Sequence, residues 1–118
     1  MKLEKLAKLV IETLEGNKAT NIQTLDVRDL TSFTDLMIIA SGTSNRQVTS
    51  IAEKLIEETK KNNVQPLGTE GTQYGEWVLV DLGDIIVHIM HPATRAYYQL
   101  EKLWSPMNDS DSLKQTVH

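Results

Sequence analysis

The feature that most constrains the fold is a pair of apolar runs separated by a turn signal. The runs cover residues 76–82 and 84–90, and Leu82-Gly83 lies at their junction. Two such runs around a short turn containing glycine are typical of a β-hairpin. With Leu82-Gly83 as a two-residue turn, the predicted pairs are Asp81 with Asp84, Val80 with Ile85, Leu79 with Ile86, Val78 with Val87 and Trp77 with His88.

This pairing sorts the side chains onto two faces of different character. One face is β-branched throughout and is expected in the core: Val78, Val80, Ile85, Val87 and Ile89. The other mixes aromatic, aliphatic, acidic and imidazole groups: Trp77, Leu79, Asp81, Asp84, Ile86 and His88. Buried carboxylates are costly without partners. The mixed face is therefore either a protein-binding patch anchored by Trp77 or a surface covered by a helix, with Trp77 in the core.

Apolar periodicity places the remaining elements along the chain. We predict helices over residues 2–15, 44–61 and 93–104, and further strands over residues 20–27, 36–40 and 64–68. The last of these strands would complete a right-handed strand–helix–strand crossover. The order predicts one α/β domain over residues 1–105, with a mixed five-stranded sheet flanked by helices. Residues 106–118 are polar and aperiodic and are predicted to form a disordered tail.

Composition restricts the compartment and the partners. The chain has 118 residues and no cysteine, which excludes disulfides, thiolate metal sites and a cysteine nucleophile. No apolar run approaches the ~20 residues that span a bilayer, and the acidic N-terminal segment is unlike a transit peptide. We therefore expect a cytoplasmic protein with no membrane contact. The net charge of −4 predicts little direct contact with RNA and favours a basic protein as partner.

Two groups of polar side chains could suggest chemistry but fit structural roles better. His88 and His91 are three residues apart, which puts them on opposite faces of a strand, and no third metal ligand has suitable spacing. Asp81 and Asp84 flank the predicted turn, where carboxylates commonly serve turn geometry and solubility. We expect no metal, no cofactor and no catalytic residue.

The segment Ser41-Gly42-Thr43-Ser44 ends a strand and opens a helix. Ser44 and Gln47 have the spacing of a capping box, and Ser41, Gly42 and Ser44 form a weak candidate for anion binding. A nucleotide-binding or nucleotidyltransferase-like enzyme using this loop is the alternative function. That chemistry needs an Asp-x-Asp or Glu-x-Asp pair to hold metal ions, and Asp26 and Asp29 have the wrong spacing.

The last predicted helix concentrates residues that are common at interaction hot spots. Arg95, Tyr97, Tyr98 and Glu101 belong to it; Tyr97 and Glu101 share one face with Trp104. We predict that part of this helix joins the mixed hairpin face in binding a partner. Self-association into a homodimer is a further hypothesis, since an exposed apolar hairpin can pair with its own copy.

Three segments resemble one known family, the Iojap-like ribosomal silencing factors. Residues 35–47 read DLMIIASGTSNRQ, residues 77–88 read WVLVDLGDIIVH and residues 95–104 read RAYYQLEKLW. Each is similar to a family motif, and the likeness covers about residues 1–105 in order and spacing. Only the tail departs from the family pattern.

The resemblance implies a domain of nucleotidyltransferase-like topology without the catalytic carboxylates, and therefore a protein that is not an enzyme. It implies binding to the large ribosomal subunit through ribosomal protein L fourteen, where the bound protein blocks joining of the small subunit. It further implies repression of translation under nutrient limitation and a link to large-subunit biogenesis. The partner-binding residues predicted from motif and pattern together are Trp77, Leu79, Asp81, Asp84, Ile86, His88, Arg95, Tyr97, Tyr98 and Glu101.

Overall fold

The computed structural model describes residues 1–104, so the predicted tail at 106–118 lies outside the described residues. In chain order, the elements are α1 (Leu3–Gly16), β1 (Thr20–Asp26), β2 (Leu36–Ser41), α2 (Asn45–Lys61), β3 (Gly68–Glu70), β4 (Trp77–Asp81), β5 (Ile85–Met90), α3 (Pro92–Tyr98) and α4 (Leu100–Trp104). The five strands form one sheet in the order β1-β2-β5-β4-β3. Strands β2 and β5 run parallel and the other neighbours are antiparallel, which confirms the predicted mixed sheet flanked by helices.

The main core lies between the sheet and the long helices α1 and α2. Both helices turn an apolar stripe towards the strands, as their helical spacing predicts. The β-branched face of the hairpin is buried against them, as expected. The central members of this core are Leu6, Val10, Leu14, Val48, Ile51, Leu55, Val78, Val80, Ile85, Val87 and Ile89.

The hairpin register differs from the predicted one by two residues. Leu79 pairs with His88 and Asp81 with Ile86, so the two-residue turn is Gly83-Asp84 and not Leu82-Gly83. The Leu82 N–H donates to the Ile85 carbonyl at 2.9 Å, which closes this turn. Gly83 has a φ of +88°, the positive value that this type of hairpin turn requires at its first central position. A shift of two residues leaves the strand side chains on their predicted faces, whereas Asp84, predicted on the mixed face, lies in the turn.

Two predicted elements have different limits. The strand expected at residues 64–68 lies at Gly68–Glu70. Val64 instead belongs to the C-terminal cap of α2, where its N–H donates to the Thr59 carbonyl at 2.8 Å after Asn63 with its positive φ of 64°. β3 runs parallel to β2 but forms the far edge of the sheet, with β5 and β4 between them. The helix expected over residues 93–104 is divided into α3 and α4 at Gln99, which has a left-handed φ of +49°.

Candidate partner-binding site

The second face of the sheet is only partly covered. Its buried cluster consists of Val27, Met37, Ile39, Met90 and Leu100, with Leu25 and Trp77 half-buried against it. On the part of this face nearer β3, by contrast, the side chains of Leu79, Asp81 and Ile86 are partly exposed. Both alternatives for this face are therefore partly realised, since a helix covers one end and the other end is open.

Trp77 and His88 are joined across the two strands of the hairpin. The Trp77 indole Nε1–H donates to His88 Nδ1 at 2.9 Å. His88 is only 5% exposed, and burial lowers the pKa of its imidazole to about 4. The ring is therefore neutral at physiological pH, with Nδ1 as the acceptor and the proton on Nε2.

Two tyrosines of α3 extend the exposed surface beyond Trp77. Tyr98 contacts the Trp77 ring with centroids 5.1 Å apart, and Tyr97 meets Tyr98 edge to face at 5.0 Å. Their exposed fractions are 81% for Tyr97 and 54% for Tyr98. We call Trp77, Tyr97 and Tyr98 the aromatic patch.

The aromatic patch continues into a hollow with an acidic border. The hollow has a volume of about 300 Å³ and is lined by Glu70, Gly71, Trp77 and Leu79. Glu70 lies opposite Leu79 in the sheet and is exposed, so its carboxylate borders the open face. Asp81 lies on the same face, and its Oδ1 accepts the Gly83 N–H at 2.9 Å. Asp84 is exposed in the turn.

Arg95 and Glu101 serve to hold the last helices in place. The Arg95 guanidinium donates through Nε to Glu101 Oε2 at 3.0 Å and through Nη1 to Ser41 Oγ at 2.9 Å. Arg95 is 8% exposed, and Glu101 is half-buried. This network joins β2, α3 and α4, so these two predicted contact residues hold the last helices on the sheet.

The loop predicted as a weak anion site already uses several of its donors. The Gly42 N–H donates to the Met90 carbonyl at 3.1 Å, and the Thr43 N–H donates to Gln47 Oε1. Ser44 Oγ accepts the Gln47 N–H at 3.1 Å, which confirms one half of the capping box. In the other half, the Gln47 side chain accepts the backbone N–H of Thr43 and not that of Ser44. The anion-binding prediction for this loop stays a prediction.

The remaining polar side chains of residues 1–104 have structural roles or stand apart from one another. In that range, no group of three or more histidine, aspartate or glutamate side chains is arranged to hold a metal ion. His91 Nδ1 accepts the Ala93 N–H at 3.2 Å and caps α3. None of the helices described is long and apolar enough to cross a bilayer.

Comparison with known proteins decides the family. The family model described as ribosomal silencing factor during starvation matches residues 1–118. The chain belongs to the ribosomal silencing factor family. It is 50% identical to a ribosomal silencing factor of Haemophilus influenzae over 85% of this chain and 98% of that protein. It is 46% identical to one of Chromobacterium violaceum over 93% of this chain and 90% of that protein.

Structures and organellar relatives agree with this membership. A crystal structure of a Chromobacterium violaceum protein has a TM-score of 0.86 and 47% identity, covering 88% of this chain and 87% of that one. A mouse relative, mitochondrial assembly of ribosomal large subunit protein 1, is 33% identical over 91% of this chain and 48% of that protein. The resemblance seen in the three sequence motifs is thereby confirmed.

One part of the open face was not predicted by the sequence motifs. Glu70 and Gly71 lie beside Trp77, although the intervening loop has no apolar periodicity. Gly71 has a φ of +86°, and a Cβ there would lie 2.0 Å from the Trp77 carbonyl oxygen. A glycine in a polar loop is the one signal that marks such a close backbone approach.

Proposed function

We propose that the chain binds the large ribosomal subunit through ribosomal protein L fourteen and thereby blocks joining of the small subunit. The observation that carries this proposal is the partly open second face of the sheet, where the aromatic patch adjoins Leu79, Asp81 and Ile86. Tryptophan and tyrosine supply large contact areas that lose little entropy on binding, which makes them frequent binding anchors. Trp77 lies between the buried cluster and the exposed tyrosines, so it is the natural anchor.

Charge favours a basic protein as the partner. The chain carries 16 acidic and 12 basic residues, for a net charge of −4. Glu70, Asp81 and Asp84 border the open face, so a positively charged surface would be attracted to it. The same negative charge disfavours phosphate contacts, and we therefore propose little direct binding to RNA.

Binding of this kind represses translation by occupying space at the subunit-joining surface, with no covalent chemistry. Repression under nutrient limitation accords with the family description, which names starvation. A contribution to large-subunit biogenesis accords with the mouse relative, whose name refers to assembly of the large subunit. We place this activity in the cytoplasm.

The proposal is tested by replacing the anchor residue. We expect Trp77→Ala to weaken binding to purified large subunits by about 30-fold or more, since hot-spot truncations cost about 2 kcal/mol or more. Co-sedimentation with large subunits over a range of protein concentrations measures this change. Binding as tight as that of the unaltered chain would refute the proposed site.

A matched control is available on the other side of the sheet. Tyr74 is 73% exposed and lines a hollow with Asn45 and Thr49 of α2. Tyr74→Ala removes an exposed aromatic ring of similar size, and we expect its binding to remain within about twofold of the unaltered chain, as for residues outside a hot spot. A loss of small-subunit exclusion by Trp77→Ala, with Tyr74→Ala still active, would connect binding to the block of subunit joining.

A further inference from the structure

His88 differs from the other predicted contact residues because it is almost completely enclosed. It lies on β5 between Ile39 of β2 and Leu79 of β4, and only 5% of it is exposed. A side chain so enclosed offers little contact area to a docking protein. Trp77, its hydrogen-bond partner, is half-buried and belongs to the aromatic patch.

The hydrogen bond between Trp77 and His88 fixes the orientation of the indole ring. Trp77 Nε1 is a donor only, and His88 Nδ1 accepts from it at 2.9 Å. The rings lie 5.8 Å apart at an interplanar angle of 52°, so the contact is made through the N–H and not by stacking. Among the contacts described for residues 1–104, no carboxylate is paired with the imidazole, and burial disfavours a second proton on it.

We propose that His88 is the positioning residue of the docking site, acting on the partner only through Trp77. This inference rests on the proposed function. By accepting the indole N–H, His88 holds the ring against Tyr98 before the partner arrives, which reduces the entropy lost on binding. It also satisfies a donor that would otherwise be left without a partner when the patch loses water.

Two substitutions separate the acceptor from the space that the ring fills. His88→Phe keeps a planar ring and removes Nδ1, whereas His88→Asn places Oδ1 near the position of Nδ1. We expect His88→Phe to weaken binding to large subunits about tenfold, the effect of about one hydrogen bond, and His88→Asn to restore it to within about twofold. In the NMR spectrum, the Trp77 indole N–H should keep its hydrogen-bonded shift in His88→Asn and lose it in His88→Phe.

A double-substitution cycle tests whether His88 acts through the indole. Trp77→Phe deletes the N–H and keeps an aromatic ring, so His88→Phe should change binding less than about twofold in that background. Additive losses would overturn the positioning role, as would unchanged binding by His88→Phe or failure of His88→Asn to restore it. If His88→Phe does not fold, binding by Trp77→Phe is compared with binding by the unaltered chain and by His88→Asn. Unchanged binding by Trp77→Phe would then overturn the positioning role of His88.

These experiments also distinguish failure of the positioning role of His88 from failure of the proposed docking site. Unchanged binding by Trp77→Ala would refute the docking site. A loss with Trp77→Ala and none with His88→Phe would leave the docking site standing and remove only the positioning role.

Discussion

At the scale of single residues, one hydrogen bond reconciles the mixed chemistry of the second sheet face. A buried imidazole is tolerated beside aliphatic side chains because it is neutral and its Nδ1 accepts the Trp77 N–H. The sequence predicted that His88 and Trp77 share a face. It could not predict the bond, because a pairing pattern contains no information on side-chain torsions.

Burial of His88 makes folding dependent on pH. Its pKa is about 4 in the folded chain and ordinarily about 6.5, so the unfolded chain binds the extra proton first. The contribution of neutral His88 to the free energy of unfolding is fully present above pH 6.5 and is lost as the pH falls towards 4. We expect the unaltered chain to lose about 2 kcal/mol more than His88→Asn between pH 7 and pH 5. Urea unfolding at both pH values measures this, and parallel losses in the two proteins would contradict it.

At the scale of elements, the sequence predicted the faces of the hairpin but not its register. Alternation of side chains determines which residues share a face, whereas the turn position depended on which residue could adopt a positive φ. Gly83 adopts it, and the turn moved by one residue accordingly. The division of the last helix at Gln99 was equally hidden, because helical spacing continues across the break.

The two short helices depend on the bridge that Arg95 makes to Glu101 and Ser41. We expect Arg95→Met to cost about 3 kcal/mol, because it leaves a half-buried carboxylate without its cation. Chemical unfolding measures the loss. Adding Glu101→Leu should recover more than half of it, since the unpaired charge is then removed. A loss below about 1 kcal/mol for Arg95→Met would show that solvent replaces the bridge.

At the scale of the whole molecule, the two faces of the sheet have separate tasks. α1 and α2 seal one face with the larger core, so the other face can be left partly open without loss of the fold. An apolar sheet pattern predicts burial on both faces and does not show how far a helix will reach across either one. α4 contributes Leu100 to the covered end only. How far α4 reaches across this face could be seen in the structure but not in the sequence.

The charge of the open face predicts how binding responds to salt. Glu70 and Asp81 border this face, and attraction between exposed charges weakens as the Debye length falls from about 10 Å at 0.1 M salt. We expect the association rate with large subunits to fall as salt rises, and Glu70→Gln with Asp81→Asn to reduce that dependence. Asn at position 81 retains an oxygen for the Gly83 N–H, so the turn should be preserved. Stopped-flow or surface-binding kinetics at several salt concentrations measures the slope of the association rate against salt concentration.

The control is the substitution Glu12→Gln on α1, away from this face. An equal change of slope in this variant would mean that the net charge of the chain, and not the acidic border of the open face, steers the encounter.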